Sequence, residues 1–141
     1  MNIRYFSIML LCLIFFGCRK NNVNPIPNIP FDISIDISLP SYNALNGVGA
    51  WCYVNGGSRG IIVHRKSIDE FVAFDRHSPE DPDGSCPLPL YPNSDNFLQL
   101  KDSCNNASFS LYDGTPISNS SYGLRQYKTL FDGTNMLRIY N

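Results

Sequence analysis

Five cysteines and two histidines are the residues of this chain best suited to metal or redox chemistry. Cys52, Cys86, Cys104, His64 and His77 lie in its central and C-terminal parts. Two thiolates and two imidazoles would fit a tetrahedral zinc site. The spacing argues otherwise, because neither C-x-x-C nor H-x-x-x-H occurs, and two surface histidines are the plainer expectation. Glu80, Asp81, Asp83, Asp95 and Asp102 could supply hard oxygen ligands for calcium. Asp81-Pro-Asp-Gly lacks the terminal glutamate of a calcium loop and reads instead as a turn with solvated acids. Ser78 follows His77 directly, but neighbours on an extended loop point apart, so no nucleophile–base pair is expected there. No P-loop, no G-x-G-x-x-G and no G-x-S-x-G elbow is present. Neither catalytic residues nor a metal site is expected.

The elements that must hold these residues are short strands. Phe31 to Leu39 alternates strictly, with Phe31, Ile33, Ile35, Ile37 and Leu39 on one face, and Pro40 ends the run. Val48 to Val54, Gly60 to His64 and Phe71 to Phe74 are further candidates, with Asn55-Gly56 a hairpin signal. Phe97 to Leu100, Ala107 to Tyr112, Leu124 to Thr129 and Met136 to Tyr140 complete the set, with a hairpin turn at Asp132-Gly133. No helix beyond a turn or two is expected, and the pattern is that of an all-β sandwich or barrel.

The N-terminal stretch has a different character. Arg4 precedes an apolar run from Ile8 to Phe16, too short to span a bilayer well. Phe16-Gly17-Cys18 resembles a bacterial lipobox, with Phe15 where the usual pattern has leucine. Residues 1–17 are thus expected to be a lipoprotein signal peptide and Cys18 the lipid attachment site. Acyl chains there would make the membrane the protein's first partner. Asn and Pro dominate the stretch after Cys18, so residues 18–30 are expected to be a flexible tether and 31–141 the folded domain. No acidic run adjoins Cys18, and the periplasmic side of a bacterial outer membrane is the expected place. Eleven basic residues against twelve acidic ones leave no basic face for nucleic acid. Any protein partner stays unidentified at this level.

Three blocks carry a family resemblance. They are Gly60-Ile-Ile-Val-His-Arg with Asp69-Glu-Phe-Val-Ala-Phe-Asp-Arg-His-Ser-Pro, then Cys104-Asn-Asn-Ala-Ser-Phe-Ser-Leu-Tyr-Asp-Gly-Thr, then Leu124-Arg-Gln-Tyr-Lys-Thr with Met136-Leu-Arg-Ile. Their order resembles that of Rieske iron–sulfur domains. The resemblance implies an antiparallel β-sandwich or incomplete barrel with two apposed loops at one end. Anchored on Phe109 and Gly114, and on Asp75, Arg76 and Pro79, it places the four cluster-ligand positions at Ser78, Glu80, Asp102 and Asn105. A [2Fe–2S] Rieske centre needs two thiolates and two imidazoles, and these four are hard donors. The expectation is a Rieske-like frame without a cluster, with Glu80 and Asp102 exposed and a non-enzymatic binding or structural role. The alternative, at face value of the resemblance, is a [2Fe–2S] electron-transfer protein or the ferredoxin subunit of an oxidoreductase. Some Rieske domains also join their cluster loops by a disulfide, and Cys86 and Cys104 fall in the corresponding places. Cys52, beside Trp51, is then a buried apolar residue.

Overall fold

In a computed structural model, which describes residues 24–141, ten strands form two antiparallel sheets. They are β1 (Asp32–Asp36), β2 (Trp51–Val54), β3 (Ile61–Arg65), β4 (Phe71–Asp75), β5 (Tyr91–Pro92), β6 (Gln99–Lys101), β7 (Ser108–Ser110), β8 (Pro116–Ser118), β9 (Gln126–Phe131) and β10 (Met136–Tyr140). The larger sheet runs β1-β10-β9-β4-β3-β2 and the smaller β5-β6-β7-β8. One 3-10 turn, Asn43–Asn46, is the only helical element among the described residues. The all-β expectation therefore holds.

The sequence of β3 and β4 matches their position. Ile61–Val63 and Phe71–Phe74 are unbroken apolar runs because both faces of these strands are covered. Ile61, Val63, Phe71 and Ala73 join a core inside the large sheet with Ile35, Ile37, Leu137 and Ile139. Ile62, Val72 and Phe74 point the other way, into a second core with Leu90, Leu100, Phe109 and Leu124. That second core glues the small sheet onto the large one by burial of apolar surface. In β1, by contrast, one face is covered and the alternation is visible: Ile35 is buried while Asp32 is exposed.

Both hairpin signals hold: β2 pairs with β3 across Asn55-Gly56, and β9 with β10 across Asp132-Gly133. Several boundaries differ from expectation. Leu39 is exposed, because β1 ends at Asp36 and the chain turns at Asp36–Ser38. Phe97 and Leu98 are also exposed and precede β6, which begins at Gln99. The short strands β5 and β8 were not expected; each carries a proline, which sits at sheet edges.

The N-terminal boundary lies earlier than expected. Ile26 is 2% exposed, the Asn24 side chain donates to Gly123 O at 2.9 Å, and Arg125 Nε donates to Ile26 O at 3.1 Å. A free tether to residue 30 is thus corrected: Asn24–Ile26 dock on the segment before β9. One apolar side chain in a Pro/Asn-rich stretch is too little periodicity to reveal this. Residues 1–17, Cys18 and the first part of the expected tether lie outside the described residues. Among the described residues no helix is long and apolar enough to cross a membrane.

A candidate site at the junction of four loops

Asp75, the last residue of β4, is fully buried and organises one end of the domain. Its carboxylate accepts from the backbone N–H of Ser58 at 2.6 Å, of Arg59 at 3.2 Å and of His77 at 2.9 Å. The Tyr127 hydroxyl adds a fourth bond at 2.8 Å. Burial, and then the hydrogen bond to Asp75 and its charge, push the Tyr127 phenol well above its usual range. A buried carboxylate is tolerable only with such satisfaction. Asp75 thereby fixes the β2–β3 loop against the loop that leaves β4. Gly57 makes the approach possible: it has φ +63°, and a Cβ there would lie 2.5 Å from both Asp75 Oδ2 and Tyr127 Oη. Gly57→Ala should therefore cost about 1–3 kcal/mol through overpacking. Chemical denaturation checks this, and an unchanged midpoint would contradict the close approach.

The loop from Arg76 to Leu90 is closed at its base. Leu90 N donates to Arg76 O, and Arg76 Nε donates to Leu90 O, each at 2.8 Å. Inside it, the Asp81 carboxylate accepts from Ser85 N at 3.0 Å, Ser85 Oγ at 2.8 Å and Cys86 N at 3.0 Å. Burial opposes its ionisation, but these bonds and Arg59, at 3.4 Å, outweigh it and hold the carboxyl below its ordinary range. The expectation of a solvated acid at Asp81 is thus corrected: it is 6% exposed and serves as an internal clamp that orients Cys86. With its oxygens so committed, it is no ready calcium ligand.

The histidines are likewise not on the surface; His64 is 1% exposed and His77 4%. His64 Nδ1 donates to Ala50 O at 3.1 Å, and burial lowers its pKa. His77 Nε2 lies 2.7 Å from Asp81 O, a carbonyl that can only accept, so Nε2 carries hydrogen. In the neutral ring Nδ1 then accepts from Ser58 Oγ at 2.7 Å. The serine that meets His77 is thus Ser58, from another loop, and not Ser78. A serine on an imidazole is a nucleophile's arrangement. The backbone N–H groups of Ser58 and Arg59 are committed to Asp75 and so do not form an oxyanion hole beside the pair. What the pair does here is join the β2–β3 loop to the loop after β4.

The second loop, Asp102 to Ala107, is closed by Asp102 N donating to Ala107 O at 2.9 Å. It lies beside the first. Cys86 and Cys104 are joined by a disulfide, with Cα atoms 6.0 Å apart. Asn105 Nδ2 donates to Glu80 O at 3.3 Å and to Asp102 Oδ2 at 3.1 Å. The Asp102 carboxylate also accepts from Cys104 N at 2.8 Å and Asn105 N at 3.2 Å, and Ser78 Oγ accepts from Glu80 N at 3.3 Å. Burial opposes ionisation of Asp102, but the nearby Ser78 hydroxyl and the Asn105 and backbone bonds prevail and hold its pKa below the usual carboxylate range. The structure thus brings Ser78, Glu80, Asp102 and Asn105 to one place. Asp102 is not exposed as expected; at 5% exposure it is buried, a position that the donors Cys104 N, Asn105 N and Asn105 Nδ2 make tolerable. Glu80 is half-buried, with Oε1 held by Ser120 Oγ at 2.6 Å and Ser121 N at 3.3 Å from the β8–β9 loop. Among the described residues no buried side-chain nitrogen or oxygen lacks a partner.

Cys86, Cys104 and Asp102 place potential ligand atoms within 4.8 Å of one another, but both sulfurs are engaged in the disulfide. Cys52 is buried and unpaired, and burial pushes its thiol up to about 11, so it is not a reactive thiolate. Sequence reasoning missed Asp75, Ser58 and Asp81 as organisers. Asp75 ends an apolar run, and nothing in its spacing announces that four donors from three segments converge on it.

No protein family matches the chain, and no curated protein is similar to it. Among solved structures, the chain is similar to one from Mycobacterium tuberculosis provisionally assigned as the small subunit of an NADH-dependent nitrite reductase. Identity is 12% and the TM-score 0.44, over 81% of this chain and 97% of that one. What the structure establishes is the architecture: an all-β domain of two antiparallel sheets whose two cysteine-bearing loops meet at one end.

Proposed function

We propose that this chain is a membrane-tethered, non-enzymatic lipoprotein on a Rieske-like frame whose cluster-clasping loops hold no [2Fe–2S] centre. The observation that carries this reading is the hydrogen-bonded chain that links Ser78 to Glu80, Glu80 to Asn105 and Asn105 to Asp102 between the two loops. The electron-transfer alternative requires two thiolates and two imidazoles at those positions. Oxygen and amide donors are a poor match for such a cluster. The sulfurs nearest to hand, Cys86 and Cys104, are bonded to each other, and the His77 nitrogens are both engaged. In this reading the disulfide and the Asp102 network stand in for the cluster as the clasp between the loops. The remaining role is binding or structural. Freshly purified protein should be colourless; visible absorbance of a Rieske type would speak for the alternative.

The tether is part of the same proposal. Cys18 would carry the lipid and hold the domain at the periplasmic side of a bacterial outer membrane. Cys18→Ser should move the protein from the membrane to the soluble exported fraction on cell fractionation. Full membrane retention of that variant would contradict lipid attachment at Cys18.

A further inference from the structure

The small sheet presents a polar face to solvent beside the second loop. Leu100 and Phe109 point inward and are fully buried, so their strand neighbours Gln99, Lys101 and Ser108 point outward. Strand register lines up one row across all four strands: Tyr91 opposite Lys101, Lys101 opposite Ser108, and Ser108 opposite Ser118. With strands about 4.8 Å apart, the row is roughly 14 Å long. These residues line a groove of about 390 Å³ together with Gln99 and Asn106. That is within the range of small-molecule sites.

The chemistry of the row is specific. Lys101 is in no ion pair among the described residues, and it is the groove's one cationic group. Asp102 also borders the groove, but its oxygens are held by Cys104 N, Asn105 N and Asn105 Nδ2. Ser108 and Ser118 share one hydrogen bond at 2.7 Å, which leaves the pair one free hydroxyl hydrogen and several lone pairs. Gln99 and Asn106 add amides that both donate and accept. Tyr91 offers a partly exposed ring at the end of the row. One ammonium, a line of hydroxyls and amides and one aromatic ring suit a hydroxyl-rich ligand that carries a carboxylate.

We infer that the outer face of the β5–β8 sheet is a binding site for an acidic sugar, its carboxylate on Lys101 and its hydroxyls along the Ser108–Ser118 row. This rests on the binding role proposed above and names its ligand class. The test is calorimetry of the full chain in detergent micelles with tri-galacturonate, beside maltotriose as a neutral chain and acetate as a bare anion. Tri-galacturonate should bind, and maltotriose and acetate should each bind at least about tenfold more weakly. Lys101→Met should weaken tri-galacturonate about tenfold, Lys101→Arg should largely restore it, and added salt should reduce it. Tyr91→Ala should weaken it as well, with circular dichroism showing that each variant is folded. Absence of binding, equal binding of maltotriose or acetate, or unchanged binding by folded Lys101→Met would overturn the inference. The visible spectrum of the same sample separates the two ideas. A colourless protein that ignores tri-galacturonate overturns the groove alone, and a coloured one that binds it overturns the cluster-free reading alone.

Discussion

Asp75→Ala is expected to cost about 3–5 kcal/mol of folding stability, a large share of what a domain of this size has. The side chain is completely buried, and four donors converge on it from the β2–β3 loop, the loop just past β4 and strand β9. Its removal leaves those donors without a partner in a place water does not reach, which is more costly than the hydrogen bonds alone are worth. Asp75→Asn keeps the shape but puts donors where the site needs acceptors, so it too should lose several kcal/mol. Tyr127→Phe removes one donor of the four and should cost only about 1 kcal/mol. Urea denaturation of the three variants checks the order. An Asp75→Ala loss below about 1 kcal/mol would mean that the loop end is held by something other than this carboxylate.

The double variant Cys86→Ala, Cys104→Ala should lose about 3 kcal/mol, the chain-entropy value for a bridge closing a loop of this length. The cysteines are 18 residues apart, and the bridge ties the two loops that also share the Asn105–Glu80 bond. The β-core does not depend on it: Leu100, Phe109 and Phe74 pack on each other's elements without it. The variant should therefore still fold cooperatively, with a somewhat steeper dependence of stability on denaturant, because the uncrosslinked unfolded chain exposes more surface. Thermal and urea unfolding read both quantities. A variant that fails to fold at all would show that the disulfide, not the core, defines the domain.

Strands were legible where a single rule governs them. The alternation in β1 and the Asn55-Gly56 and Asp132-Gly133 turns arise from local geometry, and they appear where the sequence puts them, although β1 stops at Asp36, short of Leu39. Strands β3 and β4 were legible as apolar runs, but the division of their faces between two cores was not, since an unbroken run carries no face information. The strands β5 and β8 escaped because two or three residues with a proline show no period. The site was legible in part. The family resemblance placed Ser78, Glu80, Asp102 and Asn105 on two loops and paired Cys86 with Cys104. The structure brings these groups together. Burial was misjudged for Asp81, Asp102, His64 and His77, all of which are enclosed. Polar residues read as exposed by default, and only contacts between distant segments, such as Ser58 with His77 or Arg59 with Asp81, reveal the exceptions.

If an oxygen-donor network and a disulfide occupy the place of a cluster between the two loops, the chain should hold neither iron nor inorganic sulfide. The most direct test is the iron and acid-labile sulfide content of the full chain, purified without exposure to air and assayed per mole of protein. The prediction is that neither is present above background in protein whose Cys86–Cys104 bridge is intact. Two irons and two sulfides per chain, as a [2Fe–2S] centre requires, would contradict it.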